Sequence, residues 1–256
     1  MGIFVKDRLF AAVILSILIF GGCGRNKEQN IIPESELPAS EQEQIRQVLR
    51  DNNYMKDSAR DTFAEKYGAE GIPFMIERIL EIYDLGSDFN YPAEYSIASN
   101  LILSLGEIGD NRVFPALKLW LTDKKYRVFR QCAAYSLGEL GNPEASGPLR
   151  KIWEEEKGYL EKGDDEGPWP FGGYHPSGGY VHGVMGAAGT ALFKLGEKSI
   201  VGNLIEIARI SEDRWSSGTM KILRTLRELT GQSGLAATSR VQYWENWWNK
   251  NKQYYQ

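Results

Sequence analysis

Cysteine and histidine are almost absent from this chain, with two of each in 256 residues. His175 and His182 match no metal-ligand spacing, and the acidic triplet Asp164-Asp165-Glu166 lacks the alternating oxygens and central glycine of a calcium loop. No metal and no cofactor are expected. An excess of one charge is missing too, because 30 basic residues face 34 acidic ones. The resulting net of −4 is too small to steer the chain toward a charged polymer, so nucleic acid is disfavoured as a partner. No Gly-x-Ser-x-Gly, Ser-x-x-Lys or His-Glu-x-x-His sequence occurs. Enzyme activity therefore has no support. Long apolar runs are confined to Leu9–Phe20, which Ser16 interrupts and which is too short to span a bilayer.

What the chain does contain is repetition. Leu105-Gly106-Glu107-Ile108-Gly109 returns 32 residues later as Leu137-Gly138-Glu139-Leu140-Gly141, each time inside a leucine- and tryptophan-rich helical pattern. A repeat of that length is one helix-turn-helix unit that cannot bury its own apolar face. Neighbouring units must then stack into an elongated all-α solenoid. A capping-box sequence at Ser40-Glu41-Gln42-Glu43 opens an N-terminal helix. A first unit ends helix A at Lys66-Tyr67-Gly68 and continues through Pro73 into helix B. The second pairs Tyr95–Gly106 with Arg112–Leu121, and the third pairs Val128–Gly138 with Pro143–Glu156. In the fourth, Lys194-Leu195-Gly196 repeats Lys66-Tyr67-Gly68, and a fifth pairs Trp215–Thr230 with Ser239–Lys250. Tyr243, Trp244, Trp247 and Trp248 form a single helical stripe, expected to cap the last core layer.

Residues 1–8 carry Lys6 and Arg8 ahead of the apolar run, which together read as an export signal. Phe20-Gly21-Gly22-Cys23 follows and resembles the lipobox of bacterial lipoproteins, with Phe20 where leucine is usual. That resemblance implies cleavage after Gly22 and acylation of Cys23, leaving an exported chain near −5 that is tethered to a membrane and otherwise soluble. Residues 1–22 are then a signal peptide, 23–39 a polar spacer containing Pro33 and Pro38, and 40–256 the folded body. With Cys23 acylated, Cys132 is the one remaining thiol, no internal disulfide forms, and Cys132 is expected as a small buried hydrophobe. Gly24 in place of an aspartate favours the outer membrane, facing the periplasm, in a cell with two membranes.

Ala134-Tyr135-Ser136-Leu137-Gly138-Glu139-Leu140-Gly141-Asn142-Pro143-Glu144-Ala145 resembles the short bacterial HEAT repeat also found in phycobilisome lyases. The resemblance covers roughly residues 56–251. Leu226–Gln232, leading to Trp244-Glu245-Asn246-Trp247-Trp248, is also similar to an ending found in bacterial HEAT proteins. It implies a right-handed superhelix of HEAT/armadillo type, about five helix pairs, with helix B lining the concave side. The matching residues are turn glycines and packing leucines, so what the family implies is protein interaction and no catalytic residue.

An insertion at 157–180 interrupts the repeats and holds Trp169, Phe171, Tyr174 and His175. Long loops in compact arrays usually have a function, and exposed aromatics are typical partner anchors. The alternative is that Trp169 and Phe171 fold back over the seam. Gly183, Gly186 and Gly189 follow at every third position, a spacing that permits close helix packing. On helix B, Lys118 and Arg150 occupy equivalent positions 32 residues apart, either as a basic strip for an acidic partner or as two solvated charges. The leading expectation is a lipid-anchored envelope scaffold that holds another envelope protein through Lys118, Arg150 and the insertion. A bilin-lyase-like, chromophore-handling role is the alternative from the family resemblance, which an exported address disfavours. Ligand or metal binding through the insertion is a second alternative, and a HEAT-like DNA glycosylase is remote for an exported acidic body.

Overall fold

The computed structural model describes residues 31–50, 63, 66–84, 93–164, 179–212, 216–234 and 240–256, and every regular element among them is helical. Ten α-helices follow one another: α1 (Ala39–Arg50), α2 (Ile72–Asp84), α3 (Ala93–Ile108), α4 (Phe114–Thr122), α5 (Arg130–Leu140), α6 (Ser146–Glu161), α7 (Tyr180–Lys194), α8 (Ile200–Ser211), α9 (Ser216–Thr230) and α10 (Val241–Asn251). They form two layers. Helices α3, α5, α7 and α9 stack side by side in the first, while α4, α6, α8 and α10 succeed one another in the second, preceded by α1 packed on α2. Each of α2, α4, α6 and α8 also packs on the first-layer helix that follows it. The extensive contacts all join neighbours in this order, and one apolar core runs the length of the stack. This is an all-α solenoid.

The repeated Leu-Gly-Glu segment builds the first layer for two reasons. Its second glycine, Gly109 or Gly141, stops the helix in a left-handed conformation at φ 71° or 69°, where a side chain is disfavoured. The next side chain, Asp110 or Asn142, then accepts a hydrogen bond from the amide of Arg112 (2.8 Å) or Glu144 (2.9 Å) and starts the following helix. Its first glycine instead sets the spacing between helices. A Cβ on Gly106 would sit 2.6 Å from Ser136 Cα, and one on Gly138 would sit 2.7 Å from Ala191 Cα. Both clashes are with backbone, which cannot rotate away. Gly138→Val is therefore expected to force α5 and α7 apart at a cost of about 1–3 kcal/mol or more, read as a lowered urea midpoint, while exposed Gly147→Ala leaves it unmoved.

The expected close-packing role of the glycines in α7 holds, since Gly183 meets Gln131 of α5, Gly186 meets Thr225 of α9 and Gly189 meets Leu204 of α8. Polar contacts then fix the register between units. Arg46 grips Glu77 through Nε and Nη2 at 2.8 and 3.3 Å, Arg50 meets Glu81 at 3.2 Å, Arg112 donates to the Ala69 carbonyl at 3.2 Å, and Asn142 donates to Asn111 at 3.2 Å.

The N-terminal boundary differs from the sequence expectation. Residues 31–38, read as spacer, lie against the body, with Ile31 only 8 % exposed and Ile32 and Leu37 packed on the core. Helix α1 begins at Ala39, where the Pro38 carbonyl accepts from Glu41 and Gln42 and the Gln42 amide donates back to the Leu37 carbonyl at 2.8 Å. Two isoleucines in a polar stretch bury apolar area without showing any helical period, so periodicity could not place them.

Candidate interaction surfaces

The insertion springs from a built foundation. Helix α6 runs five residues into the segment read as insertion, to Glu161, before Gly163 turns the chain at φ 81°. Helix α7 opens at Tyr180 after Gly179 at φ 61°. Between these two ends lies a charged cluster with almost no solvent contact. Arg127 reaches Glu156 at 2.9 Å, and Arg130 Nη1 bridges Glu156 at 2.7 Å and Glu155 at 2.9 Å. The side chains of Arg127, Arg130 and Glu156 are 2 %, 0 % and 0 % exposed. Burial works against the charge on Arg130, but hydrogen bonds to Glu155 and Glu156 and their charges more than offset it and raise its pKa above the ordinary arginine value. The Arg127 guanidinium lies between aromatic rings, 4.6 Å from Tyr180 and 5.2 Å from Tyr159. Tyr180 donates its hydroxyl to the Arg127 carbonyl, and burial pushes its phenol well above the usual tyrosine range. The base of the insertion is thus tied to the turn that leads into α5.

Sequence reasoning did not find this cluster, although one signal was present. Glu156 falls on the same helical phase as Leu149, Ile152, Trp153 and Leu160, all of them buried. The charge-rich string Glu154-Glu155-Glu156-Lys157 hid that phase. Trp169, Phe171, Tyr174 and His175, proposed as anchors, lie outside the described residues, as does Cys23.

Lys118 and Arg150 are both described and both exposed, on α4 and α6 of the second layer. Arg150 pairs with Glu197 at the start of the next unit. Lys118 holds its ammonium 5.9 Å from the Phe114 ring, one turn back on its own helix. They occupy matching places, but one of the two charges is already engaged.

The first layer presents a second surface that the sequence did not suggest. Glu107, Glu139, Lys194 and Glu228 stand in the last turns of α3, α5, α7 and α9, one from each helix. A carboxylate near a helix C-terminus opposes the macrodipole, at a typical cost of roughly 0.3–1 kcal/mol. Three of these four helices carry one. Tyr135 stands one turn before Glu139, is 39 % exposed, and lies 5.3 Å beneath the Lys194 ammonium. Its hydrogen bond to Glu139, partial burial and the charges of Glu139, Glu107 and Glu228 together raise its pKa. For Glu139 itself, burial raises the pKa, yet Lys194 and the Tyr135 hydroxyl hold the carboxyl below the ordinary glutamate value. Tyr135 is thus an exposed aromatic that already carries a cation, Lys194, and feels the charge of carboxylates from three helices.

His182 and Cys132 both lie in packed positions. His182 is fully buried with Nε2 2.6 Å from the Ser211 hydroxyl, and that hydroxyl also meets the Ile207 carbonyl at 2.8 Å. Cys132, expected as a small buried hydrophobe, is partly buried against the core, and burial pushes its thiol pKa up. Among the described residues no three histidine, cysteine or acidic side chains gather where a metal ion would sit, and no helix is long and apolar enough to cross a membrane. No family profile, curated protein or solved structure matches the chain.

Proposed function

We propose that this protein is a lipid-anchored lipoprotein of the bacterial cell envelope whose HEAT-type solenoid is a non-catalytic scaffold for another envelope protein. The observation that carries this reading is the succession of stacked helices, which brings side chains of neighbouring units together on an exposed layer, as where Tyr135 lies beneath Lys194 of the next first-layer helix. A surface of this kind, assembled from several units, binds an extended partner through a few aromatic anchors rather than through one pocket. The signal segment and Cys23 supply the address, and on the second layer Lys118 is an exposed cation while the matching Arg150 is paired with Glu197.

A photo-cross-linking amino acid placed at Tyr135 or at Lys118 in intact cells tests the scaffold directly. A defined partner band is expected from at least one position, and it should be lost when Cys23→Ala releases the protein from membranes or leaves its precursor uncleaved. Absence of any adduct from both positions, with the protein correctly localised, rejects the scaffold. Labelled fatty acid still entering Cys23→Ala rejects the anchor instead.

A further inference from the structure

Opposite charges bridge two of the helix pairs along this side of the stack. Arg46 with Glu77 and Arg50 with Glu81 join α1 to α2, and Lys157 with Glu206 at 3.2 Å joins α6 to α8. The groove between α8 and α10 has no such bridge among the described residues. It is open, with a volume of about 430 Å3, inside the roughly 300–1,000 Å3 typical of small-ligand sites. Gly202 and the nearly buried Ile205 contribute from α8. Trp248 contributes from α10, and its six-membered ring sits on the Gly202 backbone, with Cζ2 2.6 Å from where a Cβ would be. Any side chain at position 202 would displace the indole.

Polar groups complete this groove and have no partner of their own among the described residues. Arg209 of α8 and Gln242, Glu245 and Asn249 of α10 line it, and none forms a hydrogen bond or ion pair there. Glu206, held by Lys157, adds a second carboxylate. Each simple ligand class leaves something unanswered. A cation would meet Arg209, an anion would meet two glutamates, and an apolar molecule would strip water from four side chains that need it. A neutral polyhydroxylated ring answers all of them. Its C–H face suits the indole, and its hydroxyls donate to Glu245 and to the amide oxygens while accepting from Arg209 and the amide nitrogens.

We propose that the groove between α8 and α10 is a binding site for a neutral glycan segment. The site is independent of the partner surface on the first layer, so either can fail without the other.

The test is saturation-transfer NMR and calorimetry on the full-length protein in a detergent without a sugar headgroup, with chitotetraose, cellotetraose and maltotetraose as probes. Glycine betaine and free alanine serve as charged controls. At least one tetraose is expected to bind at about millimolar Kd or tighter, with the Gln242→Ala/Asn249→Ala double variant weakening it roughly tenfold. Both of those side chains are on the surface, so far-UV circular dichroism should not change. Gly202→Ala, by shifting Trp248, should weaken the same probe. The proposal is overturned by any of three results: no tetraose bound at about 10 mM, affinity unchanged in the double variant, or a control that binds as well as the best tetraose and responds to the same variants.

Discussion

Replacing Glu156 with alanine is expected to destabilise the solenoid by about 3–5 kcal/mol, read as a large drop in urea midpoint at unchanged slope. The physical reason is that two guanidiniums with 2 % and 0 % exposure would lose the carboxylate lying 2.9 and 2.7 Å from them. Glu155 would remain beside Arg130, but it is 26 % exposed and a weaker substitute for the fully buried Glu156. Removing one partner of a buried ion pair is among the few routes to so large an effect from one substitution. The Nε and Nη2 groups of Arg130 are already buried without a hydrogen-bond partner, so that guanidinium has no further acceptor to turn to. A companion variant separates charge from shape. Arg127→Met, Arg130→Met and Glu156→Leu together remove the three buried ions, leaving only the partly exposed Glu155, and should recover most of the loss, because apolar replacement of a buried cluster is often neutral or better. A single Glu156→Ala with a midpoint within about 1 kcal/mol of the parent would show that the cluster is hydrated and not under this constraint.

Trp244→Ala should cost about 3–5 kcal/mol, in keeping with truncation of a fully buried tryptophan. The more telling outcome is where the loss is felt. In a linear stack each unit leans on its neighbours only, so damage at one end stays near that end. Hydrogen exchange is expected to accelerate in α8, α9 and α10 while α3 and α5 keep their protection. Loss of protection spread evenly from α3 to α10 would mean that the array unfolds as one cooperative block and would contradict the nearest-neighbour description. Trp244 is well placed for this test because it joins Tyr243 at 5.5 Å and Trp247 at 5.6 Å in edge-on contacts over the last layer. Tyr255 extends the same cluster, 5.4 Å from Trp247.

The aromatic stripe on α10 was readable from spacing alone, since one helical face collects its members and Trp244 is indeed fully buried. The Leu-Gly-Glu segments were readable for a related reason. Turn glycines and close-packing glycines answer to local geometry, and local geometry repeats with the unit. Helix boundaries were less exact, because α4, α5 and α6 are each preceded by a short 3-10 turn that carries the chain around before the regular helix begins. What escaped was everything that depends on partners distant in sequence. Arg130 and Glu156 are 26 residues apart, and nothing in either local pattern tells a solvated charge from a buried one. Tyr135 likewise sits in the best-matched repeat segment of the chain, yet only the stacked layer brings Glu107 and Glu228 toward it. The α8–α10 groove depends on Gly202 lying beneath Trp248, a pairing that no periodicity encodes.

The burial of Ile31 sets a leash length. Eight peptide steps separate Cys23 from this side chain, the first buried one among the described residues, and a fully extended chain covers at most about 3.6 Å per residue, so roughly 29 Å of reach is available. With a lipid on Cys23, the end of the molecule bearing Ile31 and α1 could never drift farther than that from the bilayer. Under the proposed anchoring, a partner would have to come down to the lipid surface to be met, or stand within that reach plus one molecule's length above it.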